Sequence, residues 1–585
     1  MIGLIYNWTN YKLITNKNKP LFHNSTFRLF GTTSGKRSSG KATSRVSVKQ
    51  RQLFEVHKTV RKENKLYKTS RWVHKYPGLL LLLFFIWMSI SGVLLNHPEM
   101  LKNLSVPQWF VPEHYHPDNW NRRTLKGIVY SGAGRDTLIA YGNQGIYRST
   151  DKGMQFSPFM AGEFPTAAWK KRTNHLFFNK QPQLLLSATN DGLLTYDFEH
   201  SAWQKVTLPD KSVPILKIIC AEDRLVLTAK SCFYVSRLDT NLTFTKHIPP
   251  RTTEDEHVSL IQVFLELHDG SIWGFPGKLL WDVAGVVLLF LCVSAFYIWY
   301  YPKKWKWQYK KNNGTAPPGD KKSRHFFFRY HKTLGWYAAV LLVIIFFTGT
   351  FLRPPLMIII AEGKLPEKYY PAIQDSNPWK NKIRNALYDS VNKQIVLDCT
   401  DGIWTGSLIE NKPFRKKSLP VRIIAMGATV FEEVKPGTWL IGSFGGLERL
   451  DVKEKNITPV LPKSPVKPGR PASTLVNGRI IAPDSTEYIL GHYKGICDTE
   501  GNRISNAFVM PEQIKKQYRM PFWNFLFELH NGRIFKGVLG SFYILVIPVG
   551  GIVGLLILLS GIFDYWFIKP KPTPSALHLN RGINK

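Results

Sequence analysis

The 585-residue sequence predicts a membrane α-helical protein of four spans in a tandem two-plus-two repeat, with an all-β part outside the membrane. Three observations predict it. Four long apolar runs stand out along the chain, matching motifs recur in its two halves, and short strand-turn-strand units fill the two long segments between runs. A composition that is 44% hydrophobic and 13% aromatic excludes disorder throughout.

The apolar runs cover residues 79–95, 279–301, 335–352 and 540–568, interrupted by charge only at Asp282 and Asp564. A bilayer core of about 30 Å takes roughly 20 such residues as a helix, so each run reads as a span. Charge then orients them. Residues 1–77 hold 17 Lys and Arg against two acids, residues 302–330 hold nine against one, and the tail from residue 569 holds four against none. Cytoplasmic flanks collect such cations, so both termini and the middle loop are expected inside, in a bacterial inner membrane. The same topology accounts for most of the net charge of +37, which leaves a nucleic-acid partner unneeded and the lipid bilayer as the surrounding medium. No apolar stretch with a small-residue cleavage site occurs in the first 40 residues, and the first span is expected to act as an uncleaved targeting signal.

The predicted order is a basic, disordered tail (1–70), span one (71–97), a β-rich periplasmic segment (98–262), span two with its preceding motif (263–301), a basic loop (302–330), span three (331–353), a second β-rich segment (354–524), span four with its motif (525–568) and a tail (569–585). His74-Lys-Tyr-Pro-Gly78 opens span one and His331-Lys-Thr-Leu-Gly335 opens span three, and Ser91-Gly92 and Thr348-Gly349 follow at the same offset. Phe264-Leu-Glu-Leu-His268-Asp-Gly270 precedes span two, and Leu526-Phe-Glu-Leu-His530-Asn-Gly532 precedes span four. Two copies entering from one side imply a pseudo-twofold axis along the membrane normal. Units of roughly 40 residues in 125–247 and 382–508 place a glycine turn between two strands. Three such units per copy could close one six-bladed propeller, and two separate antiparallel domains is the other reading. Of five cysteines, Cys220 and Cys232 flank a hairpin and are the plausible disulfide pair, and no CxxC or zinc spacing occurs.

The histidines carry the chemistry. The topology puts His74 and His331 at the inner edge and His268 and His530 at the outer edge, and a twofold axis sets each pair face to face. That geometry holds one metal of a flat macrocycle from both sides, so the four are candidate axial ligands of two haems. Gly78, Gly335, Gly270 and Gly532 are expected to let a ring approach the backbone. Other candidates are weaker: His97 as an alternative outer ligand, His325 in the basic loop, the Glu113-His114-Tyr-His116-Pro-Asp118 stretch, and Arg71, Arg329 and Arg353 as partners for haem propionates. Asp282 and Asp564, near span ends, read as solvated. Ser-His-Asp, Walker, GxGxxG-after-strand and HExxH motifs are missing, and 29 residues of middle loop are too short for a flavin domain.

On the HxxxG openings, the following [ST]-G pairs, the two Leu-His-x-Gly motifs, Ser294 and Ser560-Gly561, the chain resembles the PepSY-associated transmembrane proteins, which include iron-regulated inner-membrane proteins and ferric-siderophore reductases. The resemblance covers about 150 membrane-associated residues and departs at Ser294-Ala295, where glycine is replaced. It implies a b-type dihaem unit (two haem b) and reduction of siderophore-held iron. The expected function is therefore a dihaem electron-transfer protein, a ferric-chelate reductase taking electrons from quinol or a cytoplasmic reductase and giving them to a ferric chelate outside. The alternative is a membrane-anchored propeller that binds a ligand or senses it without redox activity. A permease is the third reading.

Overall fold

The computed structural model describes residues 65–568 apart from 132–136, 253–256, 314–320, 373–375, 409–411, 422, 424–426, 444–445, 462–474 and 483. The expectations for the tails at 1–64 and 569–585, and for the centre of the basic loop, lie outside the described residues.

Among the described residues, three segments are long and apolar enough to cross a membrane: Ser271–Lys311, Lys322–Phe351 and Arg533–Trp566. The helices that bear on them are α1 (Lys65–Leu80), α2 (Leu82–Leu95), α3 (Leu260–Asp269), α4 (Gly274–Lys311), α5 (Lys321–Phe351), α6 (Phe522–His530) and α7 (Val546–Ile568). The first apolar run is not one straight span. Helices α1 and α2 meet at Leu81 with a bend of 67°. Pro77 lies inside α1 one turn earlier, where its missing N–H and its ring weaken the helix, and Gly78 beside it adds freedom.

The basic loop expected at 302–330 is also shorter than its composition suggests, because α4 runs on to Lys311 and α5 begins at Lys321. Aromatic contacts hold the extension of α5 against the span part of α4. Phe327 of α5 lies 4.4 Å from Tyr297 and 6.1 Å from Phe290, ring centre to ring centre. In the span region α2 packs on α4, α4 on α5 and α5 on α7, with Ala284, Leu291, Ala338 and Leu342 buried between α4 and α5.

The rest is mostly antiparallel sheet. Six sheets follow one another along the chain, at 127–158, 173–205, 215–247, 383–417, 430–459 and 476–497, the first five four-stranded and the sixth three-stranded. Each has its strands in sequence order, as hairpin succession requires. Their cores alternate with them: Ile139 and Leu185 join the first and second sheets, Leu186 and Leu227 the second and third, Val226 and Leu397 the third and fourth. Val396 and Ile441 join the fourth and fifth, Leu440 and Ile489 the fifth and sixth, and Ala140 with Leu490 and Ile496 the sixth and first. All five cysteines are free thiols, so the expected Cys220–Cys232 bridge does not form; Cys220 is exposed and Cys232 buried.

Two short pairings tie the sheets to the spans and repeat the duplication. Ser105–Pro107, after the first run, pairs with Arg519–Pro521 before α6, and His257–Ser259, before α3, pairs with Lys364–Pro366 after α5. Each pairing takes one strand from each half. The tyrosine beyond each of these strands makes the same bond in both halves: Tyr115 donates to Glu528 at 2.6 Å, and Tyr370 donates to Glu266. Both glutamates sit two residues before a histidine of the Leu-His-x-Gly motif.

Candidate functional site

The two histidine pairs singled out by the repeat are brought together. The ring centres of His74 and His331 are 6.1 Å apart with planes at 81°, and those of His268 and His530 are 6.1 Å apart at 53°. His268 and His530 precede the apolar runs by about ten residues, a spacing that as continuous helix would lift them above the membrane. The chain avoids this by reversing. Helix α3 ends at Gly270 in the left-handed conformation (φ 76°) and α6 is followed by Gly532 in the same state (φ 74°). Helix α3 then lies against α5, and α6 against α2. Both histidines thus reach residues within a turn or so of the span ends.

Each imidazole is held through Nδ1 by a buried hydroxyl or carbonyl of a facing helix. His530 Nδ1 lies 2.8 Å from Ser91 Oγ, and His331 Nδ1 lies 2.7 Å from Ser294 Oγ. His268 Nδ1 lies 3.0 Å from Ile345 O and 3.3 Å from Thr348 Oγ1, and His74 Nδ1 lies 3.0 Å from Ile557 O and 3.5 Å from Ser560 Oγ. The four hydroxyls donate their own hydrogens to backbone carbonyls one turn back, at Trp87, Leu291, Ile344 and Ile557. They are therefore acceptors toward the imidazole, which fixes the hydrogen on Nδ1 and leaves Nε2 as a lone-pair nitrogen. Orientation of a ligating histidine through its second nitrogen is the usual support of a metal site. Burial pushes His268 and His530 below the ordinary imidazole value, His530 to about 3, with His268 beside it adding to the shift. Neutral imidazole is the ligating form.

The residue after each hydroxyl is small for a visible reason. A Cβ at Gly349 would stand 2.6 Å from His268 Cε1, one at Gly561 2.9 Å from His74 Cε1, and one at Gly92 3.4 Å from His530 Cε1. The fourth position is Ala295. Gly270 and Gly532 make the left-handed reversals, and a Cβ at Gly78 or Gly335 would meet only Ile557 or Leu291, at 3.6 Å or more. The [ST]-G pairs were visible as repeated motifs, Ser91 and Thr348 each standing 17 residues beyond the HxxxG histidine of its own half, but that spacing does not pair them with His530 and His268. Gly349→Ala should lower the thermal midpoint, at a cost of about 1–3 kcal/mol from overpacking, while Gly92→Ala should leave it nearly unchanged. Thermal unfolding of the two variants checks this ordering.

The secondary candidates are placed differently. His97 is committed to Asp282, Nε2 to Oδ2 at 2.8 Å, and Asn96 donates to the other carboxylate oxygen at 3.0 Å. Asp282 is thus buried and partnered rather than solvated, because the end of α2 covers it. Asp564 accepts from Ser70 Oγ at 2.9 Å. His116 Nε2 lies 2.8 Å from Val111 O, Asp118 pairs with Arg503 at 2.6 Å, and His325 is exposed, so none of these joins a ligand set. Arg71 and Arg329 are exposed beside tyrosine rings, whereas Arg353 keeps a buried Nε with no hydrogen-bond partner. Among the described residues no group of three or more His, Cys, Asp or Glu could hold a metal ion.

The geometry fits an iron held between paired imidazoles. Two metal–nitrogen bonds of about 2 Å, plus about 1 Å from each nitrogen to its ring centre, give about 6 Å between centres, against 6.1 Å in both pairs. With only two protein ligands per site, a macrocycle would have to supply the rest of the coordination. Thr348, which abuts His268, is 17 residues from His331 on α5, so the two sites lie about 25 Å apart along that helix.

A family model described as the PepSY-associated TM region matches residues 71–569. No curated protein matches the sequence. Among solved structures, the extracellular domain of a one-component system of B. thetaiotaomicron is 9% identical over 66% of this chain and 40% of its own, with a TM-score of 0.30. PorZ, a surface component of the type-IX secretion system of Porphyromonas gingivalis, is 12% identical over 66% of this chain and 32% of its own, with a TM-score of 0.28. The chain thus spans less than half the length of either structure.

Proposed function

We propose, from the premise that the chain belongs to the PepSY-associated TM region family, that it is a dihaem membrane protein carrying electrons across a bacterial inner membrane to a ferric chelate. The observation that carries the reading is the double histidine geometry: two pairs at 6.1 Å, each imidazole tied through Nδ1. His74 and His331 would hold one haem b and His268 and His530 the other. Bound there, haem supplies one-electron chemistry at low-spin iron. The protein's own part is to hold the four partly buried imidazoles aimed through Nδ1, and to bring two sites to opposite ends of one four-helix unit. Arg353, with its unpartnered buried Nε, is suited to a propionate on the side of the sheets.

The orientation rests on charge. The cations of residues 1–77 and 302–330 favour the cytoplasmic side for both termini and the middle loop. That places the His74–His331 pair inside, within reach of quinol or a cytoplasmic reductase, and the sheets outside. For this topology the bent α1–α2 pair counts as the fourth span. We read the six sheets as a six-bladed propeller over the outer pair, a reading supported by cores that join each sheet to the next and the sixth to the first.

The purified protein is expected to contain about two b-type haems per chain and to give reduced spectra of low-spin, bis-histidine type. A colourless, well-folded preparation from haem-replete cells would overturn the proposal and leave a membrane-anchored ligand-binding domain in its place.

A further inference from the structure

Cations gather in the space between the sheets and α6, where the nearby acids are held by other arginines, Glu432 by Arg479 and Glu528 by Arg533. Arg123 of the segment entering the first sheet, Lys126 one residue before its first strand, and Arg172 one residue before the second sheet are all partly buried. Their partners are neutral: Arg123 Nε donates to Asn477 Oδ1 at 3.3 Å, Lys126 Nζ to Asn174 Oδ1 at 2.8 Å, and Arg172 Nη2 to Asn524 Oδ1 at 3.0 Å. Lys217, from the third sheet, donates to the carbonyl of Phe431. Among the described residues none of the four has a carboxylate within ion-pair distance, and Arg172 Nε is buried with no partner at all. Burial lowers Lys126 well below the ordinary lysine value, with Arg123 and Arg172 adding to the effect, and lowers Arg172 to about 10.

An unpaired buried cation is costly, and three neighbouring ones more so, unless an anion completes them. A cavity opens onto Arg172 of this group, lined also by Arg122, Gln144, Tyr115 and Tyr518. Arg122 is itself held in place, donating to the carbonyl of His114 and standing 5.1 Å over the ring of Tyr115. The two guanidinium groups offer planar, multidentate donors of the kind that carboxylates and phosphates accept. Pro521, just before α6, also lines the cavity; Asn524 of α6 holds Arg172, and α6 carries His530 six residues on, about 9 Å along the helix.

We propose that this chamber, with Arg122 and Arg172 of its lining as the donors, binds a small oxyanion, carboxylate or phosphate. Binding by itself does not depend on the electron-transfer reading. Only the further role of such an anion, as the coordinating part of the metal chelate presented to the His268–His530 site, rests on that reading.

The test uses the full chain in nanodiscs and isothermal titration with gallium citrate, a redox-inert anionic chelate, with citrate alone, with inorganic phosphate and with a cationic gallium hydroxamate. The proposal expects saturable binding of at least one anion, weakened by added salt, and none of the cationic chelate. Which anion binds distinguishes a free oxyanion from a chelate. Arg122→Gln and Arg172→Gln should each weaken binding about tenfold, as loss of one charge-assisted bond implies, and Arg172→Lys should retain part of it. No anion binding to the wild-type chain, or equal binding of the cationic chelate, would overturn the proposal even if the glutamine variants fail to fold. Absence of haem with anion binding intact would overturn the electron-transfer reading and spare this one.

Discussion

Alanine at His268 or at His530 should remove the same one of two haems, and alanine at His74 or at His331 should remove the other. The expectation follows from pairing across the two halves: His268 comes from the first half and His530 from the second, yet their rings lie 6.1 Å apart. A site with two protein ligands has no third residue to take over, and His97, the nearest alternative in sequence terms, is spent on Asp282. Haem content per chain should therefore fall from about two to about one in every single variant, and the double variants should sort by pair. His268→Ala with His530→Ala should still hold one haem, whereas His268→Ala with His74→Ala should hold none. Redox titration of the four single variants should show one surviving component, identical within a pair and different between pairs. Loss of both haems in every variant, or grouping of His74 with His268, would refute the assignment. The supporting hydroxyls should matter less: Ser91→Ala or Ser294→Ala is expected to cost about 10–100-fold in affinity for the group while leaving the ligand in place.

Much of this arrangement is legible in the sequence because duplication turns one weak signal into four. A single histidine at a helix end says little, but His74 with His331 and His268 with His530 recur with their neighbours at a constant spacing, and a twofold axis then dictates who faces whom. The strand-turn-strand units are legible for a similar reason, since a glycine turn between alternating strands needs no long-range information. What escapes is whatever depends on a partner distant in sequence. Gly270 and Gly532 read equally well as room for a ring or as left-handed reversals, and only the backbone path decides. The bond from Ser91 to His530 joins residues 439 apart. The bend at Leu81 does not show in the hydropathy of the run, although Pro77 hints at it. Arg123, Lys126 and Arg172 are unremarkable singly in a chain with 78 Lys and Arg, and become a cluster only when two sheets and α6 meet.

Electron delivery to the side of the sheets should collapse when either histidine pair is broken. The two sites stand in series, about 25 Å apart along α5, and 29 residues of middle loop hold no cofactor domain that could bypass the first. In proteoliposomes loaded with a reductant and a quinone, external ferric citrate should be reduced by the wild-type chain. In His74→Ala and in His530→Ala alike the rate should drop at least about tenfold, a change of about 1.4 kcal/mol or more in the effective barrier. Equal loss from opposite ends is the informative feature, because a path through the membrane needs both sites while a surface reaction needs one. Reduction by external dithionite separates the two: His74→Ala should keep a sheet-side haem that dithionite reduces and ferric citrate reoxidises, and His530→Ala should not. If both variants carry out transmembrane reduction at the wild-type rate, the histidines do not conduct. If the wild-type chain carries two haems, passes electrons outward to another acceptor and leaves ferric citrate untouched, the path stands and the ferric chelate is the wrong acceptor.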